Sequence, residues 1–110
     1  MLAKLLEYGA DINARDWNGR TFLHHAAYQE TSTVAEFLVE AGIDIDAIDH
    51  QSGTTALGLA AWSGQLPVVD FLLEAGANPQ LPADATWALP MSFAKEQGHE
   101  DVVKRLERGN

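Results

Sequence analysis

Apolar positions recur along this chain in short helical stripes separated by polar turns. Within residues 31–42, Val34, Phe37, Leu38 and Ala41 fall three to four apart, the spacing of one helix face. Gly42 follows at the point where a helix end commonly turns left-handed, a conformation that costs glycine little. Upstream, residues 20–27 open with Thr21, whose hydroxyl suits an N-cap, and continue in helix-compatible residues. Downstream, residues 43–53 form an extended stretch ending in turn residues. The predicted unit is helix, short turn, helix, long hairpin-like loop.

This unit repeats. Gly9, Gly42 and Gly76 are 33 and 34 apart, and Leu5, Leu38, Leu72 and Leu106 are 33, 34 and 34 apart. Val34, Val68 and Val102 keep the interval, as do Ala26, Ala60 and Ala94, and Leu23, Leu57 and Met91. Several independent positions sharing one period of 33–34 residues imply stacked units, each too small to bury its own apolar face. The expected core is Leu23, Ala26, Ala27, Val34, Phe37, Leu38, Leu57, Ala60, Ala61, Val68, Val69, Leu72, Leu73, Met91, Ala94, Val102, Val103 and Leu106.

Composition narrows the function classes. The chain has 110 residues, with 16 Asp+Glu against 7 Lys+Arg, a formal charge of −9. That balance opposes nucleic acid, whose phosphates require a supply of cations, and opposes anionic membrane surfaces equally. A hydrophobic content of 46% excludes a disordered acidic tail. With no cysteine, disulfides, thiolate metal sites and Cys nucleophiles are excluded. No apolar run approaches the roughly 18 residues of a membrane span, and the first residues carry no secretory cleavage pattern. A cytoplasmic location is the default expectation.

In residues 16–27, Asp16, Gly19, Thr21, Leu23, His24, Ala26 and Ala27 resemble the D-x-x-G-x-T-P-L-H-x-A-A signature of ankyrin repeats, with Phe22 in place of Pro. Residues 10–16 resemble that family's loop. Residues 52–79 resemble a second full unit, with Ala56 for Pro and Gly58 for His, and residues 89–107 a third. The resemblance covers essentially the whole chain. It implies an all-α solenoid of helix-turn-helix units joined by β-hairpin-like loops. The expected division is a half repeat at 1–15, repeats at 16–48 and 49–82, and a capping repeat at 83–110.

Departures from the pattern carry expectations of their own. Residues 1–9 match only the second helix of a unit, so the N-terminus reads as cut from a longer array. Leu2, Leu5 and Leu6 would then lack partners and offer a route to self-association, against a default of monomer. At the other end, Lys95 and Glu107 replace apolar family positions, as a terminal cap requires. Trp87 replaces the turn glycine of the third unit, and prolines at 82 and 90 flank it, so that loop is expected to leave the hairpin shape.

Candidate chemistry is sparse. The resemblance gives His24 a structural role, bonding the Thr hydroxyl and the adjacent loop backbone, and His99 a similar place at the start of a second helix. No two histidines stand at the i, i+4 spacing of a helical metal pair. The acidic run 44–49 lacks the sixth-position Gly and twelfth-position Glu of a calcium loop, those places being Asp49 and Thr55. Ser63 lacks the G-x-S-x-G context, and no phosphate loop occurs. No metal, cofactor or catalytic residue is expected, and the chain is not expected to be an enzyme.

What remains is surface. In the family, partners are held by the hairpin tips and first helices, which form a concave face. Carried over by position, the tips are Trp17, Asn18 and Arg20, then His50, Gln51, Ser52 and Thr54. The ends of the first helices are Tyr28 and Gln29, then Trp62 and Ser63, then Glu96 and Gln97. Tyr28 and Trp62 are equivalent, 34 residues apart, and Trp17 is expected on the same side. Such rings are enriched at binding hot spots, although exposed apolar residues also occur singly without function. The expected binding set is Trp17, Asn18, Arg20, Tyr28, Gln29, His50, Gln51, Trp62 and Ser63. Its partner would be another protein, basic or mixed in charge because the acidic background favours it. The alternative is a scaffold or regulatory segment of a larger protein, an enzyme being one such candidate.

Overall fold

The computed structural model describes residues 12–83 and 85–108. The expected helix at Leu2, Leu5 and Leu6 lies outside the described residues. Among the described residues, six α-helices form contacting pairs: α1 (Phe22–Ala26) with α2 (Thr33–Glu40), α3 (Ala56–Ser63) with α4 (Leu66–Glu74), and α5 (Pro90–Glu96) with α6 (Glu100–Arg108). The first helices α1, α3 and α5 stack in one row and the second helices α2, α4 and α6 in another. No strand occurs among the described residues.

Local chemistry explains where the helices start. Thr21 caps α1 through a reciprocal capping box: its hydroxyl accepts from His24 N–H, and the His24 ring accepts from Thr21 N–H. Thr55 caps α3 by accepting from Gly58 N–H at 3.2 Å. Pro67 lies in the first turn of α4, where its missing N–H is no loss. The loop before α5 does leave the hairpin shape. It holds a 3₁₀ turn at Thr86–Ala88, and Ser92 Oγ donates to Thr86 O at 2.6 Å.

The central helix α3 is buried from Ala56 to Ala61, because α1 and α5 cover it on opposite sides. Gly58, Ala60 and Ala61 leave room for that close approach, and Ala26 and Ala94 do the same on the neighbours. Around this row, Leu23, Leu38, Leu57, Val68, Val69, Leu72, Leu73 and Val102 are all under 2% exposed.

Four expected core residues are not core, and two of them are exposed. Val34 and Phe37 are 36% and 39% exposed. Their equivalents on α6 are Val102 and Arg105, which lie on the flank that meets α4, where Arg105 Nε donates to Asp70 Oδ1 at 2.6 Å. On α2 the same flank points away from α4, so α4 cannot cover it. The inward side of α2 is Ala35 and Leu38. Met91 and Val103 are half-buried against the core rather than within it. Ala35, Ile43, Ala56, Leu59 and Ala77 are core members that the repeat arithmetic did not include.

Buried polar groups knit the units together. His24 Nε2 donates to Thr54 O at 3.0 Å, and its Nδ1 accepts from Thr21 N–H at 3.1 Å. A carbonyl can only accept, so this ring is the neutral tautomer with its proton on Nε2. Burial holds its pKa below the ordinary histidine value. Gly58 occupies the equivalent place in the second unit and has no ring to offer. There Thr54 Oγ1 fills the space and donates to Ala88 O at 2.7 Å. Residues 54 and 88 are themselves 34 apart, so a hydroxyl takes over the ring's inter-unit bond. Thr54 is fully buried, which removes it from the hairpin-tip surface where the sequence placed it.

A Cβ at residue 58 would stand 2.0 Å from Thr54 Oγ1. Gly58→Ala is therefore expected to destabilise by roughly 1–3 kcal/mol through overpacking. Thr54→Ala is expected to cost about 1–3 kcal/mol by leaving the buried Ala88 carbonyl without its donor. Combining Thr54→Ala with Gly58→His, which restores the bridging ring, should cost less than the two single changes added. Urea unfolding of the four proteins measures this coupling, and simple additivity would count against the substitution of ring by hydroxyl.

Candidate protein-interaction surface

The hairpin tips are held by backbone and side-chain bonds. In the first, Asp16 N–H donates to Arg20 O and Gly19 N–H to Asp16 O, both at 2.9 Å. Asp16 Oδ1 accepts from Asn18 and Arg20 N–H, and these bonds, Arg20's foremost, hold its carboxyl below the usual carboxylate value. The next tip docks on this one: His50 N–H donates to Asn18 O at 2.7 Å. Its ring lies over Gly19, where an added Cβ would stand 2.8 Å from the imidazole. Gly19 also has φ +75°, so glycine is required there twice over.

Asp49 is the polar centre of the second tip. It is buried and accepts from Arg20 Nε at 2.9 Å, Ser52 Oγ at 2.7 Å and Thr54 N–H at 3.1 Å. Burial pushes its pKa up, but these donors outweigh that and hold it below the ordinary aspartate value. Arg20 is thus oriented by Asp49, and its guanidinium lies 5.7 Å from the centre of the Tyr28 ring.

Tyr28, on the turn after α1, and Trp62, near the end of α3, come together as the 34-residue spacing implied. With Arg20, Ser52, Leu59 and Phe93 they line a shallow recess of about 170 Å³. Its walls therefore come from all three described units. Trp62 is 44% exposed and Tyr28 half-buried. Phe93 and Leu59 were not among the expected site residues. The signal was present, since the two are 34 apart and each lies one helical turn before the position that Trp62 occupies in its unit.

The other expected residues divide. Trp17 is 94% exposed at the first tip and does not line the recess. Gln29, His50 and Gln51 are exposed, and Asn18 is half-buried. Ser63 points inward, its hydroxyl donating to Leu59 O at 2.9 Å. Trp87, standing in place of a turn glycine, is 65% exposed and packs over Gly53. All three tryptophans of the chain are thus on the surface.

The remaining candidate chemistry is occupied by structure. His99 Nε2 donates to Trp62 O at 3.0 Å and its ring packs on Gly64. In the acidic run, Asp44 Oδ1 accepts from Asp46 N–H and Asp46 Oδ1 from Asn78 N–H. Among the described residues no group of three His, Asp or Glu side chains converges as a metal site. None of their helices is long and apolar enough to cross a membrane.

Stacked helix pairs bridged by the His24 and His99 rings, with the second hairpin tip docked on the first, define a repeat solenoid. A family model for ankyrin repeats (3 copies) matches residues 1–83, and the chain belongs to the ankyrin-repeat family. It is 34% identical over 108 residues to a putative ankyrin repeat protein of Rickettsia bellii, a match covering 96% of this chain and 59% of that protein. It is 33% identical over 78 residues to the palmitoyltransferase Hip14 of Drosophila melanogaster, covering 71% of this chain and 12% of that enzyme. With the cyclin-dependent kinase 4 inhibitor B of Mus musculus it shares 35% identity over 103 residues, 94% of this chain and 78% of the inhibitor. Ankyrin repeats generally mediate protein–protein interaction.

Proposed function

We propose that this chain is a non-catalytic protein-interaction module whose partner docks on the face built from the hairpin tips and first helices. One observation carries the reading: residues from three successive units converge on a single aromatic recess, with Tyr28 and Trp62 at its sides. Large rings that remain partly exposed beside a concavity are the side chains that contribute most to interface affinity. Trp17, Asn18, Gln29, His50, Gln51 and the outer edge of Arg20 extend the same surface. Ser63 contributes by holding the end of α3 rather than by contact. The similarity to a kinase inhibitor supports a binding role without naming a partner for this chain. The similarity to a palmitoyltransferase over a small part of its length also fits a module that serves a larger enzyme.

Combining Tyr28→Ala with Trp62→Ala is expected to abolish partner binding while thermal unfolding stays cooperative, because neither ring is a core member. A titration against the isolated partner measures it. Unchanged affinity in that double variant would remove the recess from the interface.

A further inference from the structure

We propose that the recess takes one large apolar side chain presented by a basic segment of the partner protein. The inference rests on the interaction reading above and adds the partner's chemistry to it. The size of the recess comes first. At about 170 Å³ it falls below the roughly 300 Å³ at which small-molecule sites begin. It suits a single anchor side chain rather than a metabolite.

The lining selects against a charged guest. Tyr28, Leu59, Trp62 and Phe93 supply apolar walls. Arg20 is the one charged lining residue, and Asp49 already balances it at 2.9 Å. A charged side chain entering here would lose its hydration without gaining an unmatched counter-charge.

The rim selects the flanks. Glu30 follows Tyr28 by two residues, and Glu96 lies one helical turn beyond Phe93. Both are exposed, and neither makes an ion pair with a described residue. Arg20, the lining cation, is balanced by Asp49. Lys95, exposed beside Glu96, stands two residues from Phe93 and so projects from a different face of α5 than Phe93 and Glu96 do. The solvent-facing surplus of a chain at −9 is therefore acidic at this rim. Lys or Arg residues flanking the anchor would meet complementary charge, which raises the rate of encounter and makes it salt-sensitive.

A displayed library of random peptides, selected on the whole chain, tests this. The expected consensus has one Phe, Trp, Tyr, Leu or Met with Lys or Arg close on either side. A synthetic peptide of that consensus should lose about tenfold or more in affinity on Trp62→Ala, as a hot-spot truncation does. Its affinity should also weaken on Glu30→Lys combined with Glu96→Lys, in a protein with an unchanged melting temperature. Enriched peptides that lack cationic bias but still depend on Trp62 would overturn the basic-segment proposal and leave the interaction face standing. Peptides indifferent to Trp62→Ala would overturn both.

Discussion

Asp49→Ala is expected to lower the unfolding free energy by about 3 kcal/mol, the low end of the range for removing one partner of a buried ion pair. The Asp49 carboxylate is fully covered and receives donors from Arg20, Ser52 and Thr54. Its removal strands an Arg20 side chain that is only 16% exposed. The low end applies because Arg20 has that outlet to solvent. Loss of the second hairpin's centre should also release Arg20 from Tyr28, so partner affinity should fall along with stability. Asp49→Asn keeps the shape but not the charge and should cost less. Unfolding in urea at pH 7 distinguishes the three proteins, and a loss within error of zero would show that the Asp49 network is dispensable.

The same residue sets a pH signature. Asp49's folded pKa is lowered, so the native state holds fewer protons than the unfolded chain near that value. Its stabilisation is present above the unfolded pKa of roughly 4 and is lost as pH falls through the folded value. Asp49→Asn should flatten that part of the acid transition, leaving the share that belongs to Asp16, which is also lowered. His24 acts in a separate window. Its folded pKa is lowered too, so its contribution is present above the unfolded value near 6.5 and declines as pH falls below it. Stability measured from pH 8 to 3 should therefore fall in two stages; Asp49→Asn should flatten the lower one and deepen the upper one, because the Asp49 charge holds the His24 pKa up against burial.

The second large effect is in the core. Leu72→Ala is expected to cost roughly 2–5 kcal/mol, because a fully buried leucine leaves a cavity as well as losing its transfer energy. Helix α4 is held by α2, α3 and α6 at once, which limits collapse around the cavity. Domains of this size hold only about 5–15 kcal/mol in total, so the variant should be partly unfolded near its reduced melting temperature. Phe37→Ala is the informative control. Both residues fit the apolar stripe of their helices, but Phe37 is 39% exposed and should cost distinctly less. Equal losses would mean that the exposed flank of α2 is covered in solution.

The same pair shows what was legible before any coordinates. Leu38, Leu72 and Leu106 are related by the period, and all three are buried, since an inward position stays inward wherever the unit is copied. Phe37 obeys the same helical spacing yet stands outside, because periodicity identifies a face but not whether a neighbour covers it. Tyr28 and Trp62 could be paired from their interval alone. Phe93 shares that arithmetic with Leu59, but its unit carries Glu96 where the others carry a ring, so no interval between rings points to it. Trp17 reads as part of the same stripe, but its hairpin carries it clear of the recess.

The family, the period, the all-α architecture and most of the core follow from the sequence alone, because each depends on local spacing that repeats every 33–34 residues. The tertiary structure decided what depends on distance between units. Thr54 became an internal bridge because Gly58 left it the space. Asp49 became a buried anchor because donors from two different hairpins converge on it. The recess exists only because three units, separate in sequence, stack closely enough for Arg20, Trp62 and Phe93 to share one hollow.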